Sequence, residues 1–145
     1  MPIGDEAVRA FRKYARLCPD SERISYFDLC KRVRGSLGND RDALKILSVY
    51  DTLKLLEALG NNDAADAVRE VYFYANGKAP RKNEISYRVR RFAMSRHMDE
   101  RTVWRRLGEA KSLYINTSPR RAKTRQKRKD YINRWENSLD FWENH

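Results

Sequence analysis

The sequence predicts an all-α protein, and three observations support this fold class. Apolar residues recur three and four positions apart along most of the 145-residue chain, which is the spacing of one helix face. Strand signals are almost absent, because the one β-rich run, residues 71–74, lies inside an alanine-rich helical pattern. The length and a hydrophobic fraction of 41% suit one compact domain, or one domain with a tail.

Two helices are expected before the first glycine-rich turn, which Gly35 and Gly38 open. The first covers residues 6–17 and ends before Pro19. The second begins at a cap provided by Asp20 or Ser21 and continues through Val33. Its apolar residues fall at helical spacing: Ile24, Phe27 and Cys30.

A third and longer helix is expected to begin at Asn39 or Asp40. Gly60 is placed to end it, since glycine readily adopts the left-handed backbone found just after many helices. Its apolar positions include four leucines: Leu44, Leu47, Leu55 and Leu59.

A fourth helix is expected over residues 63–75, capped by Asn61 or Asn62 and ended by the Asn76-Gly77 pair. Residues 78–83 contain Pro80 and form the one clear internal loop. Helical spacing of apolar residues resumes immediately after this loop, where two more helices are expected.

The stretch from Phe92 to Lys111 is spaced like a helix-turn-helix, with helices expected over 84–96 and 99–114. Ala93 is small where a second helix must cross closely, and Asp99 is a natural N-cap for the second helix. One apolar stripe follows on that helix: Val103, Leu107, Ala110 and Tyr114. We expect the stripe to be buried against three residues of the first helix: Ile85, Val89 and Phe92.

The opposite side of the second helix offers basic and hydroxyl side chains. A helix that is anchored by its apolar stripe and projects arginine and threonine from its first turns suits a DNA major groove. Double-stranded DNA is therefore the expected partner. The candidate contacts in and beside this helix are Arg96, Arg101, Thr102, Arg105, Arg106 and Lys111. An ordinary amphipathic helix with solvated charges is the alternative explanation.

Positive charge collects at and beyond this pair of helices. The formal net charge is +11, which favours nucleic acid ahead of an acidic lipid surface. Residues 117–129 have no acidic and no large apolar side chain, so they form either a phosphate-binding arm or a solvated linker. This basic arm contains seven candidate DNA contacts: Arg120, Arg121, Lys123, Arg125, Lys127, Arg128 and Lys129.

The last segment, residues 130–145, changes character again. It has a net charge of −3 and an aromatic-rich helical face made by Ile132, Trp135, Leu139 and Trp142. A helix this short is marginal alone in water, so the face must pack on something. The possible surfaces are the body of the same chain, a second copy in a homodimer, or a partner such as RNA polymerase.

Residues 102–114, TVWRRLGEAKSLY, resemble the second helix of region 4 in sigma factors. The shared features are Thr102-Val103, Arg106-Leu107, Ala110 and a terminal apolar residue. The layout of the chain is also similar to the ArpU/RinA-type regulators of phage late genes. These resemblances imply a transcription regulator of a prophage or mobile element, in which the threonine and the arginines meet DNA. They also imply a location in the cytoplasm of a bacterial host.

Two residues depart from the sigma-like pattern. His97 occupies the tight-turn position that glycine usually holds, and Arg96 replaces the core leucine that usually precedes it. Histidine adopts a left-handed backbone less readily than glycine. A longer turn, or one in a different register, is therefore an open alternative. Gly108, inside the second helix, lowers helix stability by ~1 kcal/mol relative to alanine. It either permits close approach of another backbone or is simply tolerated.

The expected organisation has four regions: an N-terminal helical region (1–60), a helix-turn-helix region (61–116), the basic arm (117–129) and a C-terminal amphipathic helix (130–145). The leading hypothesis is a sequence-specific DNA-binding regulator without catalysis. A terminase small subunit-like packaging adaptor and a protein-binding inhibitor of transcription machinery are the alternatives. Ring assembly would favour the adaptor, and failure to bind promoter DNA would favour the inhibitor.

Catalysis, metals and membranes are not expected. No glycine-rich phosphate loop is present, and the two cysteines and two histidines lack the close spacing of a zinc site. Acidic residues near the third helix, such as Asp40 and Asp42, suit a helix N-terminus without any metal. Cys18 and Cys30 are expected to be reduced, buried thiols. No run of ~18 apolar residues or signal peptide is recognisable.

Overall fold

The computed structural model describes residues 3–18, 24–36, 40–73, 81 and 83–117. Within these residues the protein is all-helical, as predicted, with six α-helices and no strand. The helices are α1 (Ile3–Leu17), α2 (Tyr26–Ser36), α3 (Asp40–Ala58), α4 (Asn62–Tyr72), α5 (Glu84–Ser95) and α6 (Glu100–Thr117). The basic arm beyond Thr117 and the predicted helix at 130–145 lie outside the described residues.

Helix α2 begins later than the sequence analysis predicted. Its cap is Ser25, whose Oγ accepts a hydrogen bond from the backbone N–H of Asp28 at 3.1 Å. Ile24 lies before the helix and is buried there, so it does not belong to a helical apolar face. The predicted start at residue 20 or 21 was wrong because Ser25 supplies a side-chain acceptor for the first turn.

Helix α3 is surrounded by other helices along its first half and covered on one side along its second. Leu44 and Leu47 are buried as predicted, but Leu55 and Leu59 are exposed, the latter by 69%. The buried positions of the second half are instead Thr52, Leu53 and Leu56. Periodicity alone could not distinguish the two sides, because both carry leucines.

Gly60 ends α3 as predicted, and its backbone explains why. Its φ is 78°, a left-handed value that suits glycine. The N–H of Gly60 donates to the carbonyl of Glu57 at 3.0 Å, and that of Asn61 donates to Leu56 at 2.8 Å. This pair of bonds is a Schellman motif, which satisfies the last carbonyls of α3 and lets α4 begin at once.

Helix α4 ends at Tyr72, earlier than the predicted end at residue 75. The next residue, Phe73, is the C-cap, and residues 74–80 are outside the described part of the chain. Both aromatic rings pack on α1: Tyr72 lies 5.8 Å from Phe11, and Phe73 lies 5.3 Å from Tyr14, between ring centroids. These two ring contacts hold the C-terminal end of α4 against α1.

The described helices share one hydrophobic core, to which all six contribute. Helix α6 packs on α1, α3, α4 and α5, and the ring of Tyr114 meets Phe11 at 5.8 Å. The predicted regions 1–60 and 61–116 therefore bury their apolar surfaces together. Cys18 and Cys30 are both buried as thiols, as predicted.

Candidate nucleic-acid interface

A four-residue turn, residues 96–99, joins α5 to α6. His97 takes a left-handed φ of 54°, and the N–H of Met98 donates to the carbonyl of Ala93 at 2.8 Å. A longer contact of 3.4 Å runs from the N–H of His97 to Met94. This is a second Schellman arrangement, so histidine fills the position that glycine usually takes without lengthening the turn.

Replacing His97 with glycine should stabilise the protein by ~0.5–1 kcal/mol. A left-handed backbone costs a residue with a Cβ about 1–2 kcal/mol, and the greater freedom of glycine in the unfolded chain offsets part of the gain. Denaturant unfolding of both proteins measures the difference. His97→Ala is the matched control, because it removes the imidazole and keeps the Cβ. A control as stable as the glycine variant would contradict the backbone explanation.

The first turn of α6 is held from both sides. The carbonyl of Asp99 accepts hydrogen bonds from the N–H groups of Thr102 and Val103, at 3.0 and 3.2 Å. Asp99 therefore occupies the N-cap position, as predicted. Arg90 on α5 donates from Nε to Glu100 at 3.1 Å, which ties the start of α6 to the preceding helix.

The inner side of α6 agrees with the predicted apolar stripe. Val103, Leu107 and Ala110 are fully buried, and Tyr114 is 1% exposed. On α5 the buried residues are Val89, Phe92 and Ala93, and Ile85 is partly buried against the same core. The stripe fixes which side of α6 faces outward.

The side of α6 opposite this stripe is exposed, and we call it the outer face. Its residues are Arg101, Trp104, Arg105, Gly108 and Ser112, at helical spacing. Two of the predicted DNA contacts, Arg101 and Arg105, lie here. Neither arginine forms an ion pair with another residue in the part of the chain that the structure describes. Both guanidinium groups are therefore available to a partner.

Arg106 lies at the edge of the outer face and is engaged with the protein itself. Its Nη1 lies 3.2 Å from Glu109 Oε2, and its side chain is 30% exposed. Glu109 also accepts a 2.8 Å hydrogen bond from Asn61 Nδ2, at the start of α4. Arg106, predicted as a groove contact, thus belongs to a network that holds α6 on α4.

The Asn61 hydrogen bond is the main reason that the pKa of Glu109 lies below its ordinary value of 4.5, and Arg106 and Arg105 add to the effect. A carboxyl whose pKa is lowered in the folded state stabilises the fold above its unfolded pKa. That stabilisation is lost as the pH falls through the folded pKa. Because Glu109 is partly exposed, solvent screening keeps the contribution small.

The other predicted contacts have protein partners or are partly covered. Thr102 is half-buried, and the half-buried Lys111 places Nζ 5.4 Å from the centre of the Tyr72 ring. Arg96 pairs with Asp66 at 3.0 Å and lies over the ring of Phe92. Contacts from these residues to an external partner would compete with contacts inside the protein.

A basic hollow beside α5 was not predicted from the sequence. It has a volume of about 570 Å³ and is lined by Arg69, Glu70, Arg88, Arg91, Phe92 and Ser95. Arg69 there is bound to Glu57 at 2.6 Å and Asp66 at 3.4 Å. The arginine-rich run YRVRRF, residues 87–92, was the available signal. Trp104 was not predicted as a functional residue either, although an aromatic side chain that falls off the apolar stripe was an available signal.

Within the described residues, no group of histidine, cysteine or acidic side chains could hold a metal ion. None of the helices described here is both long enough and apolar enough to pass through a bilayer. Comparisons with protein families, curated proteins and solved structures found no match to this chain.

Proposed function

We propose that α5 and α6 form a helix-turn-helix unit that binds double-stranded DNA sequence-specifically through the outer face of α6. One observation carries the proposal: both acidic residues of α6 are paired with arginines, Glu100 with Arg90 and Glu109 with Arg106. The two unpaired arginines of this helix then project from the outer face. An α-helix fits the major groove, and arginine is the side chain that best recognises guanine there.

The tight turn and the buried stripe support the same proposal. The turn at His97 keeps α5 and α6 close, and the stripe from Val103 to Tyr114 sets the outward direction of α6. A rigid element with fixed orientation is what base recognition requires, since contacts must be held within a fraction of an ångström. The fold, rather than a flexible loop, would then determine where Arg101 and Arg105 contact the DNA.

The basic arm, residues 117–129, extends the proposal. It follows α6 directly in the sequence and has seven basic residues without an acid. Bound to phosphates, it would add affinity for any DNA sequence and steepen the dependence on salt. Together with the sigma region 4-like pattern, this favours a transcription regulator of a phage or mobile element.

Selection from random-sequence duplexes with the full chain tests this function. We expect enrichment of one motif, which the chain then binds more tightly than unselected DNA at the same salt concentration. Binding that falls as salt rises, with no motif enriched, would indicate electrostatic attraction alone. That result would contradict sequence-specific binding.

A second candidate function is binding of a protein of the transcription machinery. Exposed apolar side chains on α5 favour it, since Tyr87 and Met94 are 56% and 73% exposed. They lie on one side of the helix with Arg91 between them. Aromatic residues, methionine and arginine are enriched in protein interfaces. A gel shift on naked DNA separates the two candidates, because the protein-binding function predicts no shift.

A further inference from the structure

Trp104 is the one large apolar side chain on the outer face of α6, and 42% of it is exposed. It stacks on no other aromatic ring in the described part of the chain. Arg101 precedes it by one turn, and Arg105 follows it directly. The proposed DNA surface of α6 is therefore a large apolar ring between two arginines.

Gly108, one turn after Trp104, is not required by the fold. Its φ is not positive, and a Cβ built on it would meet no atom within 4 Å. Gly60, by contrast, has the left-handed φ that ends α3. A glycine in the middle of an 18-residue helix lowers helix stability by ~1 kcal/mol relative to alanine. The bare backbone at Gly108 instead suits close approach of a molecule outside the chain.

From these two positions we propose that Trp104 is a specificity-determining residue that contacts a thymine methyl group, with Gly108 allowing α6 to approach the groove closely. This inference rests on the proposed binding of DNA. The thymine methyl is the apolar group that the major groove presents, and apolar side chains recognise it by contact. Most of the indole surface is apolar, and only its single N–H group can donate a hydrogen bond to a base. The ring is therefore better suited to contact with a methyl group than to hydrogen bonding with base acceptors.

The spacing adds a constraint on the target. Arg101 and Arg105 are separated by about 6 Å along the helix axis, since each residue adds ~1.5 Å. That distance is roughly two base-pair steps. The thymine read by Trp104 therefore lies within one or two base pairs of the guanines that suit the arginines.

Two steps test the inference. DNA motifs are selected from random-sequence duplexes with the wild-type chain and with Trp104→Ala, and single bases of the selected motif are then exchanged. In the motif selected by the wild-type chain, replacing one thymine with uracil, which lacks only the 5-methyl group, should weaken binding about fourfold. This factor corresponds to burial of about one methyl-sized group, ~0.8 kcal/mol. Trp104→Ala should bind both duplexes equally and lose preference for thymine at that position. Trp104→Phe should keep part of the preference, because an apolar ring remains.

Thermal melting of Trp104→Ala should match the wild type, since the side chain lies on the outer face. If every thymine in the wild-type motif can be exchanged without loss, or if Trp104→Ala keeps the same preference, the inference is wrong while DNA binding stands. If the wild-type chain enriches no motif, the proposed function and this inference fail together.

Gly108→Ala tests the close approach independently. We expect a higher melting temperature, from better helix propensity, combined with several-fold weaker binding to the selected motif. Gly35→Ala is the matched control, because Gly35 is also an exposed helical glycine whose added Cβ would meet nothing within 4 Å. The control should leave DNA binding unchanged. Unchanged binding in Gly108→Ala would overturn the proposed role of this glycine.

Discussion

Replacing Arg105 with alanine should weaken binding to the selected DNA motif by roughly 5- to 150-fold. An arginine that makes two hydrogen bonds to guanine contributes ~1–3 kcal/mol of discrimination, and that range corresponds to this factor. Arg105 lies on the outer face without an ion pair to any described residue, so the variant leaves no buried charge behind. Titration of labelled motif and of unselected duplex, at one salt concentration, measures both affinities.

Binding to unselected DNA should fall much less, because it depends on the total charge rather than on one base contact. Arg16→Ala is the matched control: it removes one charge from an exposed position on α1. It should lower both affinities slightly and equally. If Arg105→Ala behaves as this control does, Arg105 contacts a phosphate and does not read a base.

Replacing Leu107 with alanine should lower the free energy of unfolding by ~2–5 kcal/mol. Leu107 is fully buried in the stripe with which α6 packs on its four neighbours. Truncation removes apolar contacts and leaves a cavity that the surrounding helices fill only partly. Urea unfolding followed by circular dichroism measures the change, which is large beside a typical domain stability of ~5–15 kcal/mol.

Leu59→Ala makes the same chemical change at an exposed position and serves as the control. It should alter stability by no more than about 0.5 kcal/mol, as surface substitutions usually do. Similar effects of the two substitutions would mean that the stripe of α6 does not face the core. The assignment of its outer face would then also be wrong.

Much of the fold could be predicted from the sequence because the helices carry strong local signals. Gly60 ends α3 and Asp99 begins α6 through hydrogen bonds with backbone groups about one turn away, and both occupy the predicted positions. The stripe from Val103 to Tyr114 is equally local, since one helical period defines it. Signals of this kind require no knowledge of the neighbouring helices.

The errors arise where a distant partner decides the outcome. Arg106 and Arg105 are adjacent and chemically identical, yet Arg106 is held by Glu109, which in turn binds Asn61, 48 residues away in the chain. Leu55 and Leu56 are likewise neighbours, and the surrounding helices bury Leu56 alone. No periodic pattern contains this information, because it depends on which side of each helix is covered.

Different residues of α6 anchor the helix and form its outer face, and this has a consequence for the proposed DNA target. The residues that anchor the helix are its buried stripe and the Asn61–Glu109–Arg106 network. On the outer face, by contrast, Arg101 and Arg105 form no ion pair with a described residue, and Trp104 stacks on no other described ring. Substitutions on the outer face can therefore accumulate without loss of the fold. For the proposed DNA-binding function, this means that a lineage of such proteins, or a designer, could change the preferred DNA sequence in single steps, each through a stable intermediate.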